Sequence, residues 1–197
     1  MTILLKRGEN GVENIRSQLK DRGIFSCNDN IYLPSINDIG CEVGDVIELI
    51  DSHEIFYCKA YRNRTVYLSQ EVYFLLKNCL IRPSLNEKSQ MIYRLLKSGP
   101  LEAKLIKVFA QISGKEYSKA FSFLLENLYV TAFSRGKILT PNWATFVYST
   151  AEEWEEHANY DFSKVITKEE AERRLRGILS NTMTSQEIDR LLRIKHK

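Results

Sequence analysis

No run of apolar residues in this chain approaches the roughly 20 needed to cross a bilayer; stretches such as Tyr73-Phe74-Leu75-Leu76 and Val130-Thr131-Ala132-Phe133 end after a few residues. The opening Met1-Thr2-Ile3-Leu4-Leu5-Lys6-Arg7 has too short an apolar core for a secretory signal and no small-residue cleavage site behind it, so a cytoplasmic protein with no membrane contact is expected. Cysteine is scarce and irregularly spaced. Cys27, Cys41, Cys58 and Cys79 contain no Cys-x-x-Cys pair, which argues against a zinc knuckle or redox motif and makes buried free thiols the expectation. His53, His157 and His196 are not spaced from a cysteine or carboxylate as a ligand pair, so neither metal nor cofactor is expected. There is no Gly-x-Ser-x-Gly and no Gly-rich phosphate loop. The acidic pairs Glu152-Glu153 and Glu155-Glu156 read as a solvated helix face without catalytic weight.

What remains is an ordinary globular composition. Of 197 residues, 44% are hydrophobic and 27% charged, with a net charge of +3 and only nine glycines and four prolines, which points to compact, element-rich structure in two units. The charge is unevenly spread. Residues 1–83 carry ten Lys/Arg against eleven Asp/Glu, and residues 151–197 nine against ten, whereas residues 84–150 carry nine against four. Since exposed charges act over about 10 Å, this middle segment attracts polyanions more than the whole-chain average implies.

The pattern along the chain defines an α+β architecture. Val12, Ile15 and Leu19 between Gly11 and Gly23 predict a short amphipathic helix over 12–22. Ile24–Ser26 and Ile31–Pro34 read as short β runs separated by the turn-forming Asn28-Asp29-Asn30. Asp45–Ile50 predicts a short helix. Ile55–Tyr61 and Thr65–Leu68 predict a hairpin turning at Arg62-Asn63-Arg64, followed by a helix from the cap Ser69 through Asn78. Arg82-Pro83-Ser84 marks a boundary, giving an N-terminal α+β domain over 1–83.

Residues 84–158 predict a winged-helix domain. A first helix carries Ile92, Leu95 and Leu96 and ends at Ser98-Gly99-Pro100; a second has Leu101, Leu105, Val108, Phe109 and Ile112 as one buried face; a third, from about Lys115 to Asn127, buries Tyr117, Phe121 and Leu124. Leu128–Ser134 and Thr145–Tyr148 then read as the strands of a two-stranded wing, with Arg135-Gly136-Lys137 at the turn. Ser149 or Thr150 caps a further helix beginning Ala151-Glu152-Glu153-Trp154. In 159–197, Thr167-Lys168-Glu169-Glu170 and Thr184-Ser185-Gln186-Glu187 each read as a capping box, predicting a helical hairpin that docks on its own chain.

The candidate site is the exposed face of the third helix, where Lys115, Ser118, Lys119 and Ser122 would meet double-stranded DNA, with Arg135 and Lys137 on a neighbouring phosphate track or the minor groove. That face has no Arg, Asn or Gln for bidentate base readout, so binding would rest on phosphates, depend on salt and choose sequence weakly. The alternative is a protein-interaction module, for which Phe123 on the helix flank would also serve.

The segments Glu126–Thr131 and Asn142-Trp143-Ala144-Thr145-Phe146-Val147-Tyr148-Ser149-Thr150-Ala151-Glu152-Glu153-Trp154 resemble proteins related to the AlkZ-type (YcaQ-like) alkylpurine DNA glycosylases, the aromatic-Tyr-small-Thr then Glu-Glu-Trp pattern being the most specific part. Phe56-Tyr57-Cys58-Lys59, Thr65-Val66-Tyr67-Leu68-Ser69 and Ser98-Gly99-Pro100-Leu101 are similar to short members of that group, so the resemblance spans roughly residues 12–155. It implies winged-helix units and, for the larger members, hydrolysis of the glycosidic bond of alkylated or crosslinked bases. Those enzymes carry a catalytic Gln, an apolar residue, then Asp or Gln. Here the glutamines are Gln18, Gln70, Gln90, Gln111 and Gln186, and the nearest form, Gln18-Leu19-Lys20, has a lysine where an acceptor is needed. No catalytic residue is carried over. The expectation is a non-catalytic DNA-binding relative, with a divergent glycosylase or a protein-binding winged helix as alternatives.

Overall fold

A computed structural model describes residues 2–140 and 143–194. The first unit runs α1 (Thr2–Arg22), β1 (Ile24–Ser26), α2 (Val43–Asp51), β2 (Ile55–Tyr61), β3 (Arg64–Ser69) and α3 (Gln70–Cys79). The second runs α4 (Glu87–Lys97), β4 (Leu101–Glu102), α5 (Ala103–Ala110), α6 (Gly114–Glu126), β5 (Val130–Thr140), β6 (Trp143–Thr150) and α7 (Ala151–His157), followed by α8 (Lys168–Leu179) and α9 (Ser185–Leu191). The chain is α+β, with a winged-helix-like order of helices and hairpin in the second unit.

Each unit builds a small antiparallel sheet, with strand order β1-β3-β2 in one and β4-β6-β5 in the other. In both, the first strand pairs with the last and the middle strand lies on the far side. In both, a hydroxyl at the end of the last strand caps the next helix: Ser69 Oγ accepts from Val72 N, and Thr150 Oγ1 from Glu153 N. The units are also reciprocally packed, α6 of the second against β2 of the first and α2 of the first against β5 of the second.

The first sheet separates two cores by its period of two. Ile24, Phe56, Val66 and Leu68 face α3, α8 and α9, where Phe56 stacks on Tyr73 and both meet Trp154. Phe25, Ile55 and Tyr67 face α1 and α2. A third core lies among α4, α5 and α6. Cys41, Cys58 and Cys79 are buried free thiols and Cys27 is half-buried; burial pushes Cys41 and Cys79 up to about 11 and Cys58 up to about 12.

The local structure departs from the sequence pattern at several points. The first helix begins at Thr2 and passes through Gly11, where a Cβ would collide with the Asp45 carboxylate; the glycine serves close approach of α1 and α2 rather than a helix start. Ile31–Pro34 is not a strand. Asn30 Oδ1 accepts from the backbone of Tyr32 and Leu33, closing an Asx turn that leaves Ile31 90% exposed. Leu101 belongs to β4, a third strand paired through Leu101 and Glu102 to Tyr148 and Val147. The face containing Leu105, Val108 and Phe109 is exposed, because Ile106 and Ala110 close the small core that α4 and α6 already fill. Arg135-Gly136-Lys137 is not a turn but lies within β5, whose pairing runs on to Thr140 opposite Trp143. Gly136 is there because β6 passes close: a Cβ would meet Thr145 Oγ1 at 2.5 Å and its carbonyl at 3.0 Å.

The tail helices dock on the first unit, α8 on α3 and α9 on β2. Thr167 and Thr184 cap them through the amides of Glu170 and Glu187. Neither end closes as the expected capping box, because both carboxylates are engaged elsewhere: Glu170 with Arg173, and Glu187 with Tyr61 and Arg62.

Candidate nucleic-acid interface

Helix α6 starts at a capping box: Ser113 Oγ accepts from Glu116 N and Glu116 Oε2 from Ser113 N. Those bonds from Ser113, assisted by Lys88 at 3.7 Å, hold the Glu116 carboxyl below its usual value, so an anion stands between Lys115 and Lys119 on the helix surface. Tyr117, Ala120, Phe121, Leu124 and Leu125 form the buried face, leaving Lys115, Ser118 and Lys119 on one open face. Ser118 returns its hydroxyl proton to Gly114 O at 2.9 Å.

Ser122, one turn further along, is half-buried and donates to Asn63 Oδ1 at 3.1 Å in the β2–β3 turn. That turn is held from the other side by α9. Arg62 pairs with Glu187 at 2.7 Å and lies 3.8 Å over the Tyr32 ring. Arg193 meanwhile reaches the C-terminal end of α6, donating to Asn127 Oδ1 and Glu126 O. Arg135 and Lys137 stand on β5, the strand packed against α2. There Asp51 accepts from Arg135 N at 2.6 Å and lies 3.8 Å from its guanidinium, while Lys137 projects into solvent. The six residues read from the sequence therefore divide into an open α6 triad, an engaged serine and two strand cations.

The β2–β3 turn leads to groups that sequence reasoning did not single out. Ser26, Asn28, Lys59, Asn63, Arg64 and Thr65 line a polar cavity of about 230 Å³. Asn28 and Thr65 also line a second cavity of about 420 Å³, with aromatic walls formed by Tyr57 and Tyr67 from the first sheet and Phe146 and Tyr148 from the second. Tyr57 and Tyr67 are register partners on β2 and β3, while Phe146 and Tyr148 are two apart on β6, so the pleat turns each pair to one side. The alternation was present in the sequence, but nothing local indicates that two separate sheets turn these rings toward each other. Burial raises the Tyr57, Tyr67 and Tyr148 phenols above their ordinary values and keeps them protonated as donors at neutral pH.

The two sheets are joined beside this cleft by one buried hydroxyl. Thr131 Oγ1 accepts from Tyr57 N at 3.0 Å and donates to Tyr57 O at 2.9 Å. Among the described residues no group of three His, Cys, Asp or Glu side chains is placed to hold a metal ion, and no helix is long and apolar enough to cross a membrane.

The model of the family described as "AlkZ related" matches residues 47–196. The chain belongs to the AlkZ-related family. No curated protein and no solved structure matches it. The family match takes in α8 and α9, beyond the 12–155 span of the sequence resemblance, and begins within α2. Residues that carried the resemblance serve packing in this AlkZ-related chain. Trp154 is fully buried against Phe56 and Tyr73; Glu152 accepts from the Tyr93 hydroxyl at 2.9 Å; Thr131 bridges the sheets. Asn142 of that motif lies outside the described residues. Gln18-Leu19-Lys20 sits on α1, outside the matched span, with Lys20 exposed.

Proposed function

We propose that this AlkZ-related protein binds double-stranded DNA without strong sequence choice, favours sites where a base has left the stack, and does not cleave the glycosidic bond. The observation that carries this reading is the aromatic cleft adjoining a cationic cavity. A nucleotide is an aromatic plane joined to a phosphate, and the two cavities offer rings on one side and Lys59 and Arg64 on the other, with Asn28 and Thr65 common to both. Stacking on a protein aromatic contributes about 1–3 kcal/mol per base and tolerates any base. Lys115 and Lys119 on α6, on either side of Ser118, add phosphate donors along one open face, and Lys137 and Arg135 on β5 are further exposed cations.

The non-catalytic part of the reading has two supports. Among the described residues neither carboxylate nor imidazole lines the aromatic cleft, which argues against activation of water there at neutral pH. The glutamine-based motif of the related glycosylases has no match in the chain.

The test is a fluorescence-anisotropy titration against an intact duplex and one holding a single mismatched or alkylated base, at two salt concentrations. Binding that weakens steeply with salt and is tighter for the distorted duplex is expected. Phe146→Ala should remove that preference, and Lys115→Glu with Lys119→Glu should weaken binding to both duplexes. Equal affinity for both duplexes would refute the role of the cleft. Release of free base from the alkylated duplex would replace this reading with that of a divergent glycosylase.

A further inference from the structure

The polar cavity beside the aromatic cleft carries charge of one sign. Among the described residues its lining is Ser26, Asn28, Lys59, Asn63, Arg64 and Thr65, with no carboxylate around a volume of about 230 Å³. Three basic residues come from the β2–β3 hairpin, and they differ in what they meet. Arg62 is held by Glu187 at 2.7 Å, whereas the side chains of Lys59 and Arg64 make no ion pair and no hydrogen bond among the described residues. The neighbouring acid is turned away: Asp29 Oδ1 accepts from Ser35 Oγ at 2.6 Å and from Asn37 Nδ2 at 3.0 Å inside its own loop. Two cations at one small cavity repel each other, and a bound anion removes that cost. The neutral lining favours an anion as well. Asn63 Oδ1 is already taken by the Ser122 hydroxyl, which leaves the amide Nδ2 as the free, donating end of that side chain.

The strand pleat fixes this cavity relative to the rings. Tyr57 and Lys59 are two apart on β2, and Thr65 and Tyr67 two apart on β3, so one face of the first sheet presents rings and, about 7 Å further along, cationic and hydroxyl donors. That step spans one sugar, so a base in the cleft would bring its own phosphate into the polar cavity. Resting on the reading of the aromatic cleft as a base site, we propose that the polar cavity takes a terminal phosphomonoester, and that the protein thereby recognises a nucleotide at the phosphorylated end of a strand. The charge count selects this group. A phosphate within a strand is a diester with one negative charge, which Lys59 or Arg64 alone would balance. A phosphomonoester carries about −1.5 to −2 at neutral pH on three acceptor oxygens, matching two free cations and the donors of Asn63 and Thr65. Segments from the end of β1, from β2 and from the β2–β3 turn wall the cavity, which suits a group that ends a chain better than one that continues in both directions.

Four duplexes of one sequence, titrated by fluorescence anisotropy with the full chain at fixed salt, provide the test: intact, and nicked with a 5′-phosphate, with a 3′-phosphate or with hydroxyls on both sides. One of the phosphorylated nicks should bind about tenfold or more tighter than the hydroxyl nick, and which one it is reads the direction in which the strand enters. Lys59→Gln with Arg64→Gln should bring the three nicked duplexes to one affinity. Lys59 is half-buried and Arg64 exposed, and circular dichroism establishes that the variant is folded. Lys115→Glu with Lys119→Glu should weaken binding to every duplex and keep the advantage of the phosphorylated nick. Equal affinity for the three nicked duplexes, or an advantage that survives the Lys59 and Arg64 substitutions, would overturn the proposal. Thymidine monophosphate with its phosphate at the preferred position should displace the nicked duplex only weakly; displacement at concentrations comparable to the duplex itself would assign the site to a free nucleotide and overturn the strand end. A mismatched duplex that still binds tighter than the intact one, while the three nicks bind alike, leaves the cleft as a base site and removes only the terminal phosphate. Mismatched and intact duplexes that bind alike, with the phosphorylated nick still preferred, remove the internal unstacked base and keep the strand end.

Discussion

Replacing Thr131 by valine exchanges one hydroxyl for a methyl group at nearly constant volume, at the point where the two sheets meet. Thr131 is fully buried, and its hydroxyl serves both the N–H and the C=O of Tyr57 on β2, the edge strand of the first sheet. Valine keeps the packing but leaves both backbone groups without that partner, and each unsatisfied buried group costs about 1–3 kcal/mol. The expected loss is therefore about 2–6 kcal/mol, a large share of the ~5–15 kcal/mol that holds a typical protein folded. Thr131→Ser makes the opposite exchange. It keeps the hydroxyl and removes one methyl, at about 1 kcal/mol. With a urea slope of about 2 kcal/mol per M, valine should lower the unfolding midpoint by about 1–3 M and serine by about 0.5 M. Because Tyr57 also walls the aromatic cleft, valine should in addition weaken the preference for a distorted duplex while serine retains it. A serine variant as unstable as the valine one would refute the argument, since packing of the methyl group, and not the bridge between sheets, would then be what matters.

Gly136→Ala should destabilise by about 1–3 kcal/mol through overpacking, because its Cβ would meet Thr145 Oγ1 at 2.5 Å and the Thr145 carbonyl at 3.0 Å; thermal unfolding reads this, and an unchanged Tm would contradict the close approach of β5 and β6. Burial and the neighbouring His157 hold the His53 imidazole below its ordinary value of 6.5, so the unfolded chain takes up the proton first as pH falls. The His53 contribution to stability is therefore complete above about pH 6.5 and is lost as pH drops from there through the lower folded value. Urea midpoints at pH 7.5, 6.5 and 5.5 should decline more steeply for the wild-type chain than for His53→Asn, and parallel curves would remove His53 from the account. Glu187→Gln takes away the charge that ties α9 to Arg62, so limited proteolysis should release the C-terminal helix faster than in the wild-type chain, with equal rates as the contrary result.

The helix starts were legible because a cap is a local event. Ser69, Thr167 and Thr184 each bond an amide three residues ahead in sequence, so the residue type and its spacing contain the whole interaction. The β2–β3 hairpin was legible for the same reason, its two strands being separated only by Arg62 and Asn63, both at positive φ. The α5 ladder misled because its spacing correctly places Leu105, Val108 and Phe109 on one side of a helix, yet periodicity does not say which side a neighbouring element covers. Arg135-Gly136-Lys137 misled because a glycine between cations has the composition of a turn, whereas this glycine answers to Thr145 across the sheet.

The candidate site divides along the same line. Lys115, Ser118 and Lys119 share an exposed face because they lie on the side of α6 opposite Tyr117, Phe121 and Leu124, which helical geometry places from sequence alone. The aromatic cleft could not be read that way. Its walls come from residues 57 and 67 in one sheet and 146 and 148 in another, brought together by the reciprocal packing of α6 on β2 and α2 on β5. The α+β class, the helix caps, the first hairpin and the cationic helix face follow from neighbours within a few residues, so the order of residue types contains them. Which apolar face of α5 stays open, the run of β5 through Gly136, and the meeting of four rings from two sheets around one cavity depend on distant surfaces that compete for the same contact.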